Sequence, residues 1–284
     1  MDLSIIIAHY DPGNHASCIE SFNKTLSQIE SQKGDYEIEI IIADYGSVTH
    51  QDIQSLGSPI TDQDERTIYQ LKGNALSSWK KENDFNYSSI SHWLYLPKIE
   101  PMMSKARIGN TAIAKASSEN LFFLDDDNFF ISENSVGTII NLLKEYPFVI
   151  GQIQDKNGRF RPYSSRRVQG TTFGVKKETI IEAGLFGEWT ETVSCGVDSD
   201  IWWKFYHYFQ KNPHLQACYT PDIQTLDSCS KRWRPFTNTI FRNRKLKKAF
   251  YKEHNCPNYN SPKHNPSRNK QFWINNLFNK TFQF

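Results

Sequence analysis

Three consecutive carboxylates, Asp125, Asp126 and Asp127, follow an apolar run in the segment LFFLDDDNFF at 121–130. The run at 121–124 has the length and composition of a buried strand, so the carboxylates stand where that strand leaves its sheet. Side chains alternate along an extended chain, which puts Asp125 and Asp127 on one side and Asp126 on the other. Like charges so close repel one another unless a cation or hydrogen-bond donors meet them. Oxygen-only ligands suit Mg2+ or Mn2+, and such an ion suits a diphosphate. An acidic loop lying in water is the competing reading, and the triplet alone leaves the two even.

Such a strand needs a sheet around it. Residues 3–8, LSIIIA, read as a first buried strand, followed by the turn-like His9-Tyr10-Asp11-Pro12-Gly13. Residues 15–31 have helical spacing, with Ile19, Phe22, Leu26 and Ile29 on one stripe. Residues 36–43, YEIEIIIA, form a second strand that closes on Asp44-Tyr45-Gly46-Ser47. Strand, helix and strand at this spacing predict a βαβ unit with a parallel pair. Ligands of open parallel sheets sit beyond the C-terminal strand ends, where Asp11 and Asp44 both fall. Further helices are expected over 104–118, 135–145, 177–183 and onward from Ser199, with strands at 92–96, 148–154 and 171–175. Residues 48–90 are polar and show no pattern that places them.

With 284 residues, 38% hydrophobic and 14% aromatic, the chain is globular and long enough to bury a sizeable core. No apolar stretch approaches the roughly 20 residues of a membrane span. The opening MDLSIIIAHYDP lacks the positive start and cleavage site of a signal peptide. The five cysteines are scattered and none forms a CxxC pair. Neither a disulfide framework nor a cysteine zinc site is indicated, and a reducing cytoplasm is the expected location. Charge is lopsided: residues 1–230 carry 20 Lys/Arg against 30 Asp/Glu, whereas 231–284 carry 13 against one acid, Glu253. This divides the chain into a catalytic body, 1–230, and a basic appendage, 231–284, that meets something anionic.

Five segments in order along the chain carry a resemblance. SIIIAHYDP, IIADYGS, KARIGNTAIAKASSENLFFLDDDN, TTFGVKKETIIEAGLFGEW and CGVDSDIWWKF together resemble the family 2-like glycosyltransferases of the GT-A fold. The Asp triplet is similar to that family's DxD motif, GLFGEW to its GGFDE segment and GVDSD to its GEDxD segment. The resemblance covers about residues 1–205, and the order of the segments weighs more than any one motif. It implies an α/β, Rossmann-like GT-A fold with a mostly parallel central sheet flanked by helices. It also implies transfer of a sugar, with inversion, from a nucleotide-sugar, typically a UDP-sugar. Two positions depart from the pattern. Val197 replaces the Glu that precedes the base Asp, and Gly187 replaces the Asp of GGFDE.

Carried over residue by residue, the resemblance implies that Asp127 binds Mn2+ or Mg2+ and Asp125 the ribose or sugar hydroxyls. Asp126, pointing the other way, is expected beside the donor site as a helper, against the favoured alternative of a solvent-facing or capping carboxylate. Ala8, His9 and Tyr10 are expected to border the base pocket, and Asp44 to bond the nucleobase unless it only forms a turn. Arg107 is expected at the diphosphate or base, with an exposed helix face as the rival. Asp198 is the candidate general base, and the helix start at 199–201 favours its ionised form. Trp189 and Trp202 are candidate acceptor platforms, with core packing as the alternative. His254 is a candidate third metal ligand, rivalled by Asp227. Four Arg in 159–167, RFRPYSSRR, suit a phosphate or stay solvated.

Residues 231–252 hold nine basic residues and no acid, interleaved with Trp233, Phe236, Phe241, Phe250 and Tyr251. That pattern suits an anionic membrane surface or nucleic acid. Beside a glycosyltransferase body the membrane reading wins, with a glycan or lipid-linked acceptor, no nucleic acid, and a peripheral place on the inner face of the cell membrane. The expected pathway is surface polysaccharide or lipopolysaccharide synthesis. Two other functions compete. A sugar nucleotidyltransferase would need a basic Gly-rich loop after the first strand, which HYDPGNHAS lacks. A non-catalytic nucleotide-sugar-binding module would explain Val197.

Overall fold

The computed structural model describes residues 1–13, 16–61, 64–161, 169–228, 237–255 and 274–276. In chain order the strands and helices are β1 (Leu3–His9), α1 (Ala16–Gln32), β2 (Ile38–Asp44), α2 (Ile53–Leu56), β3 (Ser58–Thr61), β4 (Thr67–Lys72), α3 (Gly73–Glu82), β5 (Ile90–Tyr95) and α4 (Lys105–Lys115). They continue with β6 (Asn120–Asp125), β7 (Asn128–Phe130), α5 (Ser135–Glu145), β8 (Phe148–Asp155), β9 (Phe173–Lys176), α6 (Lys177–Ala183), α7 (Val197–Lys211), β10 (Ala217–Asp227), α8 (Thr237–His254) and β11 (Ile274–Asn276). Short 3-10 turns lie at Val48–His50 and Glu188–Val193.

One sheet runs in the order β11-β10-β8-β9-β6-β1-β2-β5-β4-β3, with β7 paired to β10. β1 is its centre, parallel to β2 on one side and to β6 on the other. Isoleucines on β1 and β2 fill both faces, because a strand covered on both sides has no polar side to present. Core clusters lie on each face of the sheet. Phe22, Leu26 and Ile29 of α1 belong to one, and Phe205 and Phe209 of α7 to the other. The register sets Ala8 beside Asp125 and His9 beside Asp44. The α/β architecture with a mostly parallel core and flanking helices agrees with the sequence expectation.

The unplaced region 48–90 folds as an antiparallel edge, β3 on β4 and β4 on β5, with α2 and α3 beside it. Its strands are short and half exposed, so no sustained alternation marks them. The described parts of the basic appendage join the body. Leu246 and Phe250 of α8 are buried, and β11 pairs with β10. The expectations for 231–236, for Trp233 and Phe236 among them, and for Arg166 and Arg167 lie outside the described residues.

Candidate active site

A cleft of about 510 Å³ opens beyond the C-terminal ends of β1 and β6. It brings together Ala8, Tyr10, Asp125, Asp126, Asp127 and Asp198 from the expected set. Asp125 ends β6, and its Oδ1 accepts a hydrogen bond from Lys105 Nζ at 2.5 Å. Burial first, with Asp127 and Asp198 adding to it, pushes the Asp125 carboxyl up to about 6, against the pull of Lys105. Burial opposes the charge on Lys105, but Asp125, Asp198 and Tyr45 outweigh it and raise the ammonium above its ordinary range. Asp127, 8% exposed, accepts from Asn128 Nδ2 at 3.0 Å. Asp126 faces inward, as alternation requires. Its Oδ2 bonds the ring Nδ1 of His9 at 2.7 Å and accepts from the Tyr10 N–H at 3.1 Å.

Asp198 stands in the first turn of α7, facing Gly170 on the cleft wall. Gly196 is the N-cap and no side chain caps the helix, so Asp198 is not consumed as a cap. Tyr10 stacks on Tyr45 with ring centroids 5.3 Å apart, and Lys98 Nζ donates to the Tyr10 hydroxyl at 2.7 Å. Arg161 bridges Asp155 and Asp227 at the rim.

Five expected residues stand elsewhere. Asp44 is fully buried rather than open to a base. Its Oδ1 accepts from the Gly46 and Ser47 N–H groups, and its Oδ2 meets His50 Nδ1 and Trp93 Nε1. Burial opposes its charge, yet these partners, His50 foremost, hold the carboxyl below the usual range. Arg107 does not reach the cleft. Its guanidinium binds Glu191 at 3.1 Å, Asp64 at 2.7 Å and Glu188 at 3.0 Å, tying α4 to the 3-10 turn at 188–193. Trp202 is a core residue whose Nε1 donates to the Gln169 carbonyl, with its ring against Phe148. Trp189 donates to Asp200 Oδ1 at 2.9 Å. His254 Nε2 meets that same oxygen at 2.8 Å and so lies on Asp200, not with Asp127.

Asp200 is therefore a clamp. Fully buried, it also accepts from the Gly187 N–H at 2.7 Å and pairs with Lys204 at 2.9 Å. Burial would raise its carboxyl, but His254 and Lys204 bring it below its ordinary value.

Sequence reasoning missed Lys98 and Lys105 in the cleft. A signal for Lys105 existed: a cation in the first turn of a helix opposes the dipole and needs a partner elsewhere. It also missed that His9, Asp44 and His50 bring three ligand atoms within 4.8 Å of one another, a group capable of holding a metal.

No protein-family model matches the chain, and no curated protein does. Among solved structures, the mannosyltransferase PcManGT from Pyrobaculum calidifontis, in complex with GDP-Man and Mn2+, superposes with a TM-score of 0.55 over 95% of this chain and 68% of its own, at 17% identity. The fold is that of a GT-A-like glycosyltransferase. TarS of S. aureus is a more distant match, with a TM-score of 0.45 at 14% identity over 81% of this chain. Its 1–349 piece gives 0.48 at 13% identity. The chain spans 36% of TarS and 66% of that piece.

Proposed function

We propose that the chain is a cation-dependent, inverting glycosyltransferase that moves a sugar, of hexosyl or N-acetylhexosaminyl type, from a nucleotide-sugar to a glycan or lipid-linked hydroxyl. One observation carries the reading: Asp125 and Asp127 share one cleft with Asp198, and Lys105 feels both Asp125 and Asp198. A carboxylate base thus faces the acidic end of β6 across a space fit for a sugar and two phosphates. The fold shared with a mannosyltransferase that holds GDP-Man and Mn2+ supports it.

The acidic end of β6 fits a hard divalent ion, since Asp125 and Asp127 both line the cleft and burial, with Asp127 and Asp198 adding to it, disfavours the Asp125 charge unless a cation meets it. Asp127 would hold Mn2+ or Mg2+ with Asp125 beside it, and the ion would offset the charge that develops on the leaving diphosphate. Lys105 lies where it can turn from Asp125 to that diphosphate. Tyr10 and Tyr45 offer a ring face to the nucleobase, with Ala8 small enough to let it approach. Asp198 takes the proton of the acceptor hydroxyl as its oxygen attacks the anomeric carbon and the bond to the diphosphate breaks. A single displacement with one base inverts that carbon. The exposed basic side of α8 would rest on an anionic membrane surface at the cytoplasmic face, in surface polysaccharide or lipopolysaccharide synthesis. Among the described residues no helix is long and apolar enough to cross a membrane.

A thermal-shift screen of UDP- and GDP-sugars with and without Mn2+ tests donor binding. A cation-dependent rise for one donor is expected in the wild type and none in Asp127→Ala. Asp198→Asn should keep that rise while transfer or donor hydrolysis falls roughly 100- to 10,000-fold. Near-normal turnover in Asp198→Asn would remove the base from the mechanism.

A further inference from the structure

Beneath the cleft, two histidines and an aspartate are sealed from solvent with one ring nitrogen left bare. His9 is fully buried at the end of β1, and its Nδ1 is engaged by Asp126 at 2.7 Å. Its Nε2 has no hydrogen-bond partner among the described residues. Asp44 ends the neighbouring strand in register with His9, and His50 follows in the 3-10 turn, its Nδ1 3.0 Å from Asp44 Oδ2. One ligand atom from each of the three lies within 4.8 Å of the others.

We propose that His9, Asp44 and His50 form a buried zinc site, separate from the cation position at Asp127. Two imidazoles and one carboxylate make a mixed nitrogen and oxygen set, which suits zinc better than Mg2+ or Mn2+. Tetrahedral zinc with bonds near 2.1 Å spaces its ligand atoms about 3.4 Å apart. The Asp44–His50 contact at 3.0 Å and the 4.8 Å limit on the three ligand atoms leave only small ring movements to reach that spacing. Asp126 on the far nitrogen of His9 is the outer carboxylate that ligating histidines ordinarily have, and it fixes which nitrogen faces the metal. Charge also balances, because one divalent ion offsets Asp44 and Asp126 in a shell of Phe22, Trp79, Phe85 and Trp93. Without a metal, two separate His–Asp pairs form and the bare Nε2 of His9 stays unexplained.

The consequence reaches the cleft. A zinc ion here fastens β1 to β2 and to the 3-10 turn at 48–50, and through His9 it holds Asp126 inward, so that the carboxylates on either side face out. The site does not depend on the transfer reading and is tested without it.

The full chain is purified without chelators and its metal content measured by elemental analysis. About one zinc per chain is expected, falling below about a tenth in His9→Gln and in His50→Gln, and unchanged in Asp127→Ala. Growth in cobalt should give the visible absorption of a tetrahedral site in the wild type, a readout that needs no variant to fold. Stripping with a strong chelator should lower the melting temperature of the wild type. Wild-type protein with under about 0.1 zinc and no cobalt band overturns the proposal, and so does zinc that follows Asp127 rather than the two histidines.

Discussion

On the proposed function, Asp125 is the residue at which proton and cation would compete. Its carboxyl is pushed up to about 6, by burial before all else and by Asp127 and Asp198 after it. A carboxylate raised in the folded state contributes stability while it holds its proton, and loses that contribution as pH rises from its unfolded value through 6. A divalent ion at Asp127 reverses the balance by favouring the ionised form. Mn2+ affinity should therefore climb about tenfold per pH unit below 6 and level off above it, as titration calorimetry across that range would show. Lys105→Met removes a neighbour that lowers Asp125, so the break should move to higher pH. A flat profile in both proteins would place the cation away from this carboxylate. His9 and Asp44 show what the sequence hides at this scale. Both sit at strand ends where ligands are expected, yet the residues that hold them inward are distant in sequence: Asp126 for His9, 117 positions away, and His50 and Trp93 for Asp44, 6 and 49 positions away. Nothing in local pattern announces such partners, whereas the Asp125–Asp127 alternation follows from strand geometry alone.

Among the elements, the start of α7 places Asp198, the proposed base, and α8 packs behind that turn. Gly196 has φ of +97°, a conformation that costs an L side chain about 1–2 kcal/mol. A side chain at 196 would also run into Leu246 of α8. Gly196→Ala is expected to lower the melting temperature by about 2–6 °C, and to reduce kcat with the donor KM unchanged. Adding Leu246→Ala opens space behind the turn and should recover part of the loss, a coupling that a double-mutant cycle measures directly. If the double variant is merely the sum of the two losses, α8 does not support the base. The helix of the base was legible in the periodicity of 199–209. Its support was not, because Leu246 and His254 come from a segment whose composition advertises charge. His254 is the clearest case: it docks α8 by bonding Asp200, which also gathers Trp189 and the Gly187 N–H. Trp202 looked like a sugar platform because aromatic type alone does not tell a core ring from a cleft ring, and its contact with Phe148 spans over fifty residues.

For the whole molecule, the opposing charges of the two chain segments acquire an arrangement. The parallel pairing of β1 with β2 could be read from βαβ spacing, but the side of the molecule that carries the basic stripe could not. α8 turns Leu246 and Phe250 into the body and leaves Arg244, Lys245, Lys247, Lys248 and Lys252 exposed, with Tyr251 half-exposed among them. Basic side chains near an anionic leaflet contribute about 1 kcal/mol each, so three of them account for roughly a hundredfold in affinity. Lys245, Lys247 and Lys248, changed together to Glu, should therefore weaken co-sedimentation with phosphatidylserine vesicles by about a hundredfold or more. Raising salt should weaken the wild type in the same direction, since these charges are solvated and screened. Donor hydrolysis in solution should not change, because none of the three lysines is among the residues that line the cleft with Asp198. Equal binding of wild type and variant to such vesicles, or wild-type binding to duplex DNA but not to vesicles, would show that the stripe serves something other than a membrane.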